Sequence, residues 1–383
     1  MTLTHLTTAS LFALSCLVTP LAVTAQENTL TPVHKIMPKQ ARIQIALLLD
    51  TSNSMDGLIS QAKSQLWTLV NELAEGKKYG RDPIIELALY EYGNSNISVS
   101  KGYVRQVLSL TTDLDDVSEK LFALRTNGGQ EYAGHVIMTS LEELEWSTDK
   151  DDMKLIIIAG NEPFTQGPVS YETACGRARR SGIIIDTIHC GDEREGIQTK
   201  WKDGAECAGG IYMTINQDEK IVHIPSPYDD EIIALNTKLN DTYYGYGAEG
   251  KRYKARQMVQ DSNAAAMSPS AQLSRTKSKI SSAYKNESWD LLDAYKKDGD
   301  RILEMEESAL PDELKGKTEA ERKIFIEEKS AERALLQTQI SELSKKQRAF
   351  VTQKRKDMAT TKTLDTVMVT AVRKQAKDSG FSY

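Results

Sequence analysis

Residues 47–57 read LLLDTSNSMDG, and within them Asp50, Ser52 and Ser54 set one carboxylate beside two hydroxyls. Hard divalent cations such as Mg²⁺, Mn²⁺ or Ca²⁺ take oxygen ligands. Two hydroxyls two residues apart on a tight loop can point at one ion, and the aspartate supplies charge directly or through water. Two later stretches carry similar donors. NGGQEYAG holds Gln130 and Glu131, and AGNEPF holds Asn161 and Glu162. The competing reading is structural. Asp, Ser and Ser after a strand serve equally as helix caps and turn formers. Gln130 and Glu162 would then be loop hydrogen-bonding groups, or an acid at a helix N-terminus.

The elements around these stretches decide which end of a fold they occupy. RIQIALLLD is a near-continuous apolar run, as expected of a strand buried on both faces. Leu58, Ala62, Leu66, Leu69, Val70 and Leu73 then recur at helical spacing. PIIELALYEY reads as a second strand, and YVRQVLSLT as a third whose alternation places it at an edge. Helical patterns follow near 113–124 and 132–146, then the strand KLIIIAG, a helix over 168–181, the strand GIIIDTIHC and a shorter strand GIYMTI. Strands alternating with helices predict an α/β fold with a doubly wound, mostly parallel sheet. Ligands bind such sheets at the carboxyl ends of the strands. Asp50 and the AGNEPF turn both fall there.

From about residue 229 the chain is expected to be helical. Its parts read as a helical connector over 226–268, with a linker or break in QDSNAAAMSPSAQ, and a helical region over 269–383. There Tyr284, Leu291, Leu292, Tyr295, Ile302 and Met305 mark one amphipathic helix, and a longer helix runs near 318–358. Leu336, Ile340, Leu343, Gln347 and Phe350 form a coiled-coil-like seam on it, short of sustained heptads. The expected arrangement is a helical hairpin that buries its own seam. The alternative is self-association or a partner helix.

The chain has 383 residues, 40% of them hydrophobic and 27% charged, with a net charge of −6. Nothing there favours nucleic acid as the partner. LFALSCLVTPLAV is too short to span a bilayer, and Val23 and Ala25 suit a signal peptidase, so residues 1–25 read as a signal peptide. A lipoprotein signal on Cys16 is the alternative. Residues 26–40 read as a polar lead-in, and no other segment is expected to span a membrane. The mature protein is therefore expected to be periplasmic or secreted. Cys175, Cys190 and Cys207 fit no zinc spacing. A Cys175–Cys190 bond is disfavoured because the two fall at different levels of the fold; Cys175–Cys207 is possible, and the pairing among the three stays open.

Asp-x-Ser-x-Ser between a buried strand and an amphipathic helix is the metal-ion-dependent adhesion site pattern. Over residues 41–225 the chain resembles a von Willebrand factor A (vWA) domain, and IIIAGNEPF and TIHCG are similar to stretches of exported bacterial vWA proteins. The resemblance implies a protein-binding face at the top of the sheet, of adhesion or scaffold type. A Mg²⁺-like ion would be held there by Asp50, Ser52, Ser54, Gln130 and Glu162. Asn53, Glu131 and Asn161 would face the partner, whose acidic side chain completes the coordination. Two family loops are changed. Gln130 stands where the second loop has Thr, and Ala159 and Gly160 replace the Thr-Asp of the third loop. A weakened site follows, because ligand charge tunes affinity. No Gly-x-Ser-x-Gly elbow, His-Glu-x-x-His helix or phosphate-cradling loop is present, so a binding role is expected over catalysis. A metal-dependent hydrolase using Glu131 or Glu162 is the remaining alternative.

Overall fold

The computed structural model describes residues 39–216, 218, 223–356 and 364–383. The expected signal peptide, Cys16 and nearly all of the polar lead-in lie outside the described residues. The six strands are β1 (Arg42–Asp50), β2 (Ile84–Tyr92), β3 (Val104–Thr111), β4 (Met153–Gly160), β5 (Ile184–Cys190) and β6 (Tyr212–Ile215). They form one sheet in the order β3-β2-β1-β4-β5-β6. All pairs are parallel except β2 with β3, which is antiparallel at the edge. This mostly parallel sheet, with helices on both sides, agrees with the vWA fold that the motif implies.

The two faces follow from strand alternation. Ile43, Ile45, Leu47 and Leu49 of β1 point to one side and join the core made with α1 (Asp56–Glu75) and α2 (Leu114–Ala123). Ala46 and Leu48 point to the other, against α3 (Ala133–Glu143), α4 (Tyr171–Arg180) and α6 (Trp201–Glu206). A short α5 (Glu193–Gln198), capped by Asp192, precedes α6. Cys175 and Cys207 are bonded, with Cα atoms 5.9 Å apart, and Cys190 is a free buried thiol. Cys190 and its neighbour His189 face opposite cores, His189 lying against Trp201.

The C-terminal helices extend the α1 face and do not stand apart from it. They are α7 (Asp229–Asn240), α8 (Gly250–Met267), α9 (Pro269–Lys279), α10 (Leu291–Lys297), α11 (Gly299–Leu303), α12 (Glu319–Lys356) and α13 (Leu364–Asp378). Residues 40–383 form one compact unit. Three expectations are corrected here. The 260–272 stretch is helical on both sides of a single break at Ser268, whose hydroxyl caps α9 by accepting from Ala271 N. The helix expected from Tyr284 to Met305 is two short ones, because Asp298 leaves the helical region and caps α11. The expected hairpin does not form. The seam residues Leu336 and Ile340 of α12 are buried in the core shared with α1, where α12 packs on α7, and α13 packs on α1. The seam is thus consumed within the chain, which removes the observation that favoured self-association.

Buried charges lock these helices down. Arg333 of α12 is 1% exposed and donates to both oxygens of Asp290 at 2.6 and 3.0 Å, while stacking on Tyr243. Arg275 of α9 bridges Asp115 of α2 and Asp261 of α8, each at 2.8 Å.

Asp186 on β5 is fully buried and accepts from Ile211 N and the Gln375 amide through one oxygen, Oδ1. Burial pushes its carboxyl up to about 6. The folded state then holds the proton more tightly than the unfolded chain. Ionisation therefore costs stability, a cost absent below the ordinary 3.8 and fully felt above about 6. Asp186→Asn is expected to raise stability at neutral pH by about 1–3 kcal/mol. It should also flatten the fall in the urea midpoint across that window. An unchanged slope would show that another group carries it.

Candidate functional site

β1 ends on Asp50, and residues Asn53–Met55 make one 3₁₀ turn before α1. The Asp50 side chain closes this turn on itself, with Oδ1 accepting from Ser52 N at 2.7 Å. Ser52 stands at the start of the 3₁₀ turn but makes no side-chain cap, and α1 has none from Met55. The Ser52 hydroxyl is therefore not spent on capping. Ser52 Oγ lies 3.2 Å from Ser54 Oγ, and the Asn161 amide donates to Ser54 Oγ at 3.3 Å. Asp50 and Ser52 are buried, while Asn53 and Ser54 are exposed, so the loop runs from the core out to the surface.

The second loop is pinned to the first by Asn127 N donating to Thr51 O at 2.9 Å. Gly129 lies against the Gly93 carbonyl so closely that a Cβ there would sit 2.3 Å from that oxygen. This contact sets which residue turns inward. Gln130, the expected ligand, is exposed. Glu131, expected to face a partner, is 7% exposed, and its carboxyl meets Asp50. Its backbone N–H is held by Gln166 Oε1 at 2.6 Å.

The third loop is changed for a visible reason. A Cβ on Gly160 would lie 2.4 Å from the Tyr92 hydroxyl, which donates to Ala159 O, and 3.1 Å from Asp50 Oδ2. Tyr92 thus fills the space an aspartate would need at residue 160. Glu162 is exposed, and its carbonyl accepts from the Trp201 indole at 2.8 Å. Its charge still acts on both Asp50 and Glu131. Asn161 is half-buried, with Oδ1 buried and unpartnered.

The electrostatics centre on Asp50 and Glu131. Asp50 Oδ2 and Glu131 Oε2 are buried without a well-formed hydrogen bond, and the Ser52 hydroxyl acts on both carboxyls. Burial first holds both carboxyls above the usual range; the Asp50 charge adds to the rise at Glu131 and the Glu162 charge to both, while Ser52 opposes it. One proton between the two carboxyls satisfies both orphaned oxygens, since a neutral acid donates to its ionised neighbour. A divalent cation would satisfy them as well, with the hydroxyls of Ser52 and Ser54 beside it. The donor set of two carboxyls and two hydroxyls suits a hard ion. Among the described residues no group of three or more His, Cys, Asp or Glu is placed to hold a metal.

Sequence reasoning missed Tyr92, Gly93 and Trp201. Gly93, at φ +78°, is required because a Cβ there would come within 2.7 Å of both Asp50 Oδ1 and Glu131 Cγ. The Tyr-Gly pair directly after a buried strand was the available signal.

No protein-family model matches the chain, and no curated protein does. Solved structures align with part of it. Proximal thread matrix protein 1 of the mussel byssus aligns at 14% identity over 45% of this chain and 41% of that one, with a TM-score of 0.33. BatB of Bacteroides thetaiotaomicron aligns at 15% identity over 45% and 90%, with a TM-score of 0.35. A von Willebrand factor type A protein of Catenulispora acidiphila aligns at 16% identity over 46% and 39%, with a TM-score of 0.35. The alignment thus spans about two fifths of the mussel protein, of which one structure has a zinc-occupied adhesion site. These similarities concern the fold alone.

Proposed function

We propose that this chain is an exported protein-binding module. Its binding face is the carboxyl end of the sheet, around Asp50, Ser52, Ser54 and Glu131. The observation that carries the reading is the buried pair Asp50 and Glu131, set against each other at the end of the sheet beside the Ser52 and Ser54 hydroxyls. Two acids buried against each other cost stability unless a proton or a cation sits between them, and a cation uses the neighbouring hydroxyls as well. In this reading Asp50, Ser52, Ser54 and Glu131 hold Mg²⁺ or a similar ion, which supplies positive charge for an acidic side chain of the partner. Glu131 takes the role that the changed third loop has lost. Asn53, Gln130, Asn161 and Glu162 line the rim and meet the partner. The face binds and does not catalyse. Export rests on the apolar segment over 11–23.

Crosslinking and pulldown from native cells, with and without chelator, test this function. A partner captured with Mg²⁺ present is expected to be lost on chelation and lost in Asp50→Asn. Capture that survives both would remove the cation from the account.

A further inference from the structure

A second, separate site lies at the far end of α1. There α1, α9 and α12 enclose a groove of about 780 Å³, bordered by Asn71, Ala74 and Glu75 at the C-terminal end of α1. Asp56, next to the Asp50 loop, is about 20 Å away along the helix at 1.5 Å per residue. Whatever binds here is independent of the cation face.

Beside Ala74, Ile280 and Ala349, the groove carries a cluster of cations and hydroxyls. From α12 come Ser341, Ser344, Lys345 and Arg348. Their i, i+3, i+4, i+7 spacing puts all four on one helix face. From α9 comes Lys277, and from the segment just after it Ser281. Lys277 is half-buried, and its ammonium donates to the Gln347 amide oxygen at 2.8 Å, with no carboxylate paired to it among the described residues. Burial, and then the nearby Arg348 guanidinium, hold its pKa down to about 8. Ser344 Oγ is buried with no partner. Lys345 is exposed and makes no ion pair among the described residues. The one acid on the groove, Glu75, is already engaged by Arg348 and lies 3.6 Å from Arg373. Three cations and a row of hydroxyls therefore face a space whose only carboxylate is spoken for.

A desolvated ammonium, a second lysine and the unpartnered Ser344 hydroxyl are the donors that a doubly charged oxyanion takes. Tetrahedral phosphate accepts from several directions at once, and its charge offsets the cost of burying Lys277. The volume exceeds a bare phosphate and suits a phosphate carried on a small organic body. We propose that this groove binds a phosphate monoester, with Lys277, Lys345, Ser341 and Ser344 as its donors. The ester belongs either to a soluble metabolite or to a lipid headgroup.

The test uses the full chain. Calorimetric titration with glycerol 3-phosphate, and with glycerol as the uncharged control, reads the soluble source. Co-sedimentation with phosphatidylcholine vesicles, with and without phosphatidic acid, reads the headgroup source. Binding is expected to one of these phosphate probes and not to glycerol or to pure phosphatidylcholine. Lys345→Gln, an exposed change that leaves packing intact, and Lys277→Gln should each weaken it roughly tenfold or more, the loss typical of a charged hydrogen bond. Lys285→Gln, an exposed lysine outside the groove, should leave it unchanged. Preference for glycerol 3-phosphate or for phosphatidic acid assigns the source, and either supports the site. No binding to either probe, or equal binding by wild type and Lys345→Gln, overturns it.

Discussion

Arg275→Ala is expected to destabilise the whole of residues 40–383 by about 3–5 kcal/mol, the usual cost of removing one partner from a buried ion pair. Arg275 is 1% exposed. It pairs with Asp115 and Asp261 at 2.8 Å, donates to the Tyr284 hydroxyl at 3.2 Å and stacks on Trp67 at 4.3 Å. Those partners sit on α2, α8, the segment after α9, and α1. Lys279 remains to serve Asp261 at 2.9 Å, so the orphaned group in the variant is Asp115. An ionised carboxylate left in that core is the source of the penalty. The measurement is urea unfolding followed by fluorescence and by far-UV circular dichroism. Both probes should shift together to a lower midpoint, because one core runs from β1 through α1 to α12. If the helical signal melts early while the sheet keeps its midpoint, the C-terminal helices are a separate unit and the packing argument fails.

Glu131→Gln has the second large effect, and it separates a ligand site from a structural one. The amide keeps a hydrogen bond to Asp50 and removes the buried acid whose carboxyl the Asp50 charge pushes up. Stability without cation should therefore hold or improve. Cation affinity should fall roughly a hundredfold or more, since changes one shell further out already cost ten- to a hundredfold. In the wild type the proton held by the pair competes with the ion, so affinity should rise with pH. Glu131→Gln should lose most of that dependence. A Gln variant that binds as tightly as wild type would return Glu131 to a purely structural role. Gln130→Ala, on an exposed side chain, is the matching control and should change affinity little.

The sheet was legible because apolar runs such as RIQIALLLD and KLIIIAG do not fit an amphipathic helix, and because the alternation of YVRQVLSLT marks an edge. Helix 319–356 was legible from its long polar-apolar pattern. Its neighbours were not. A stripe such as Leu336 and Ile340 states that a face is buried but not against what, and here α7 and the α1 core receive it. The first loop of the site could be read directly, since Asp50, Ser52 and Ser54 are contiguous. The second could not, because spacing alone does not distinguish Gln130 from Glu131. The close approach of Gly129 to the Gly93 carbonyl decides it, and that contact joins residues far apart in sequence. The change at Gly160 likewise depends on Tyr92, whose hydroxyl reaches across from another strand.

The central claim is that Asp50 and Glu131 form a cation site. Calorimetric titration of the full chain with Mg²⁺ and Mn²⁺, run in two buffers of different ionisation enthalpy, tests it most directly. The account expects one ion bound per chain, with proton release on binding that disappears in Glu131→Gln and no binding in Asp50→Asn. Absence of binding by the wild type at high pH, where the pair has lost its proton, would contradict it.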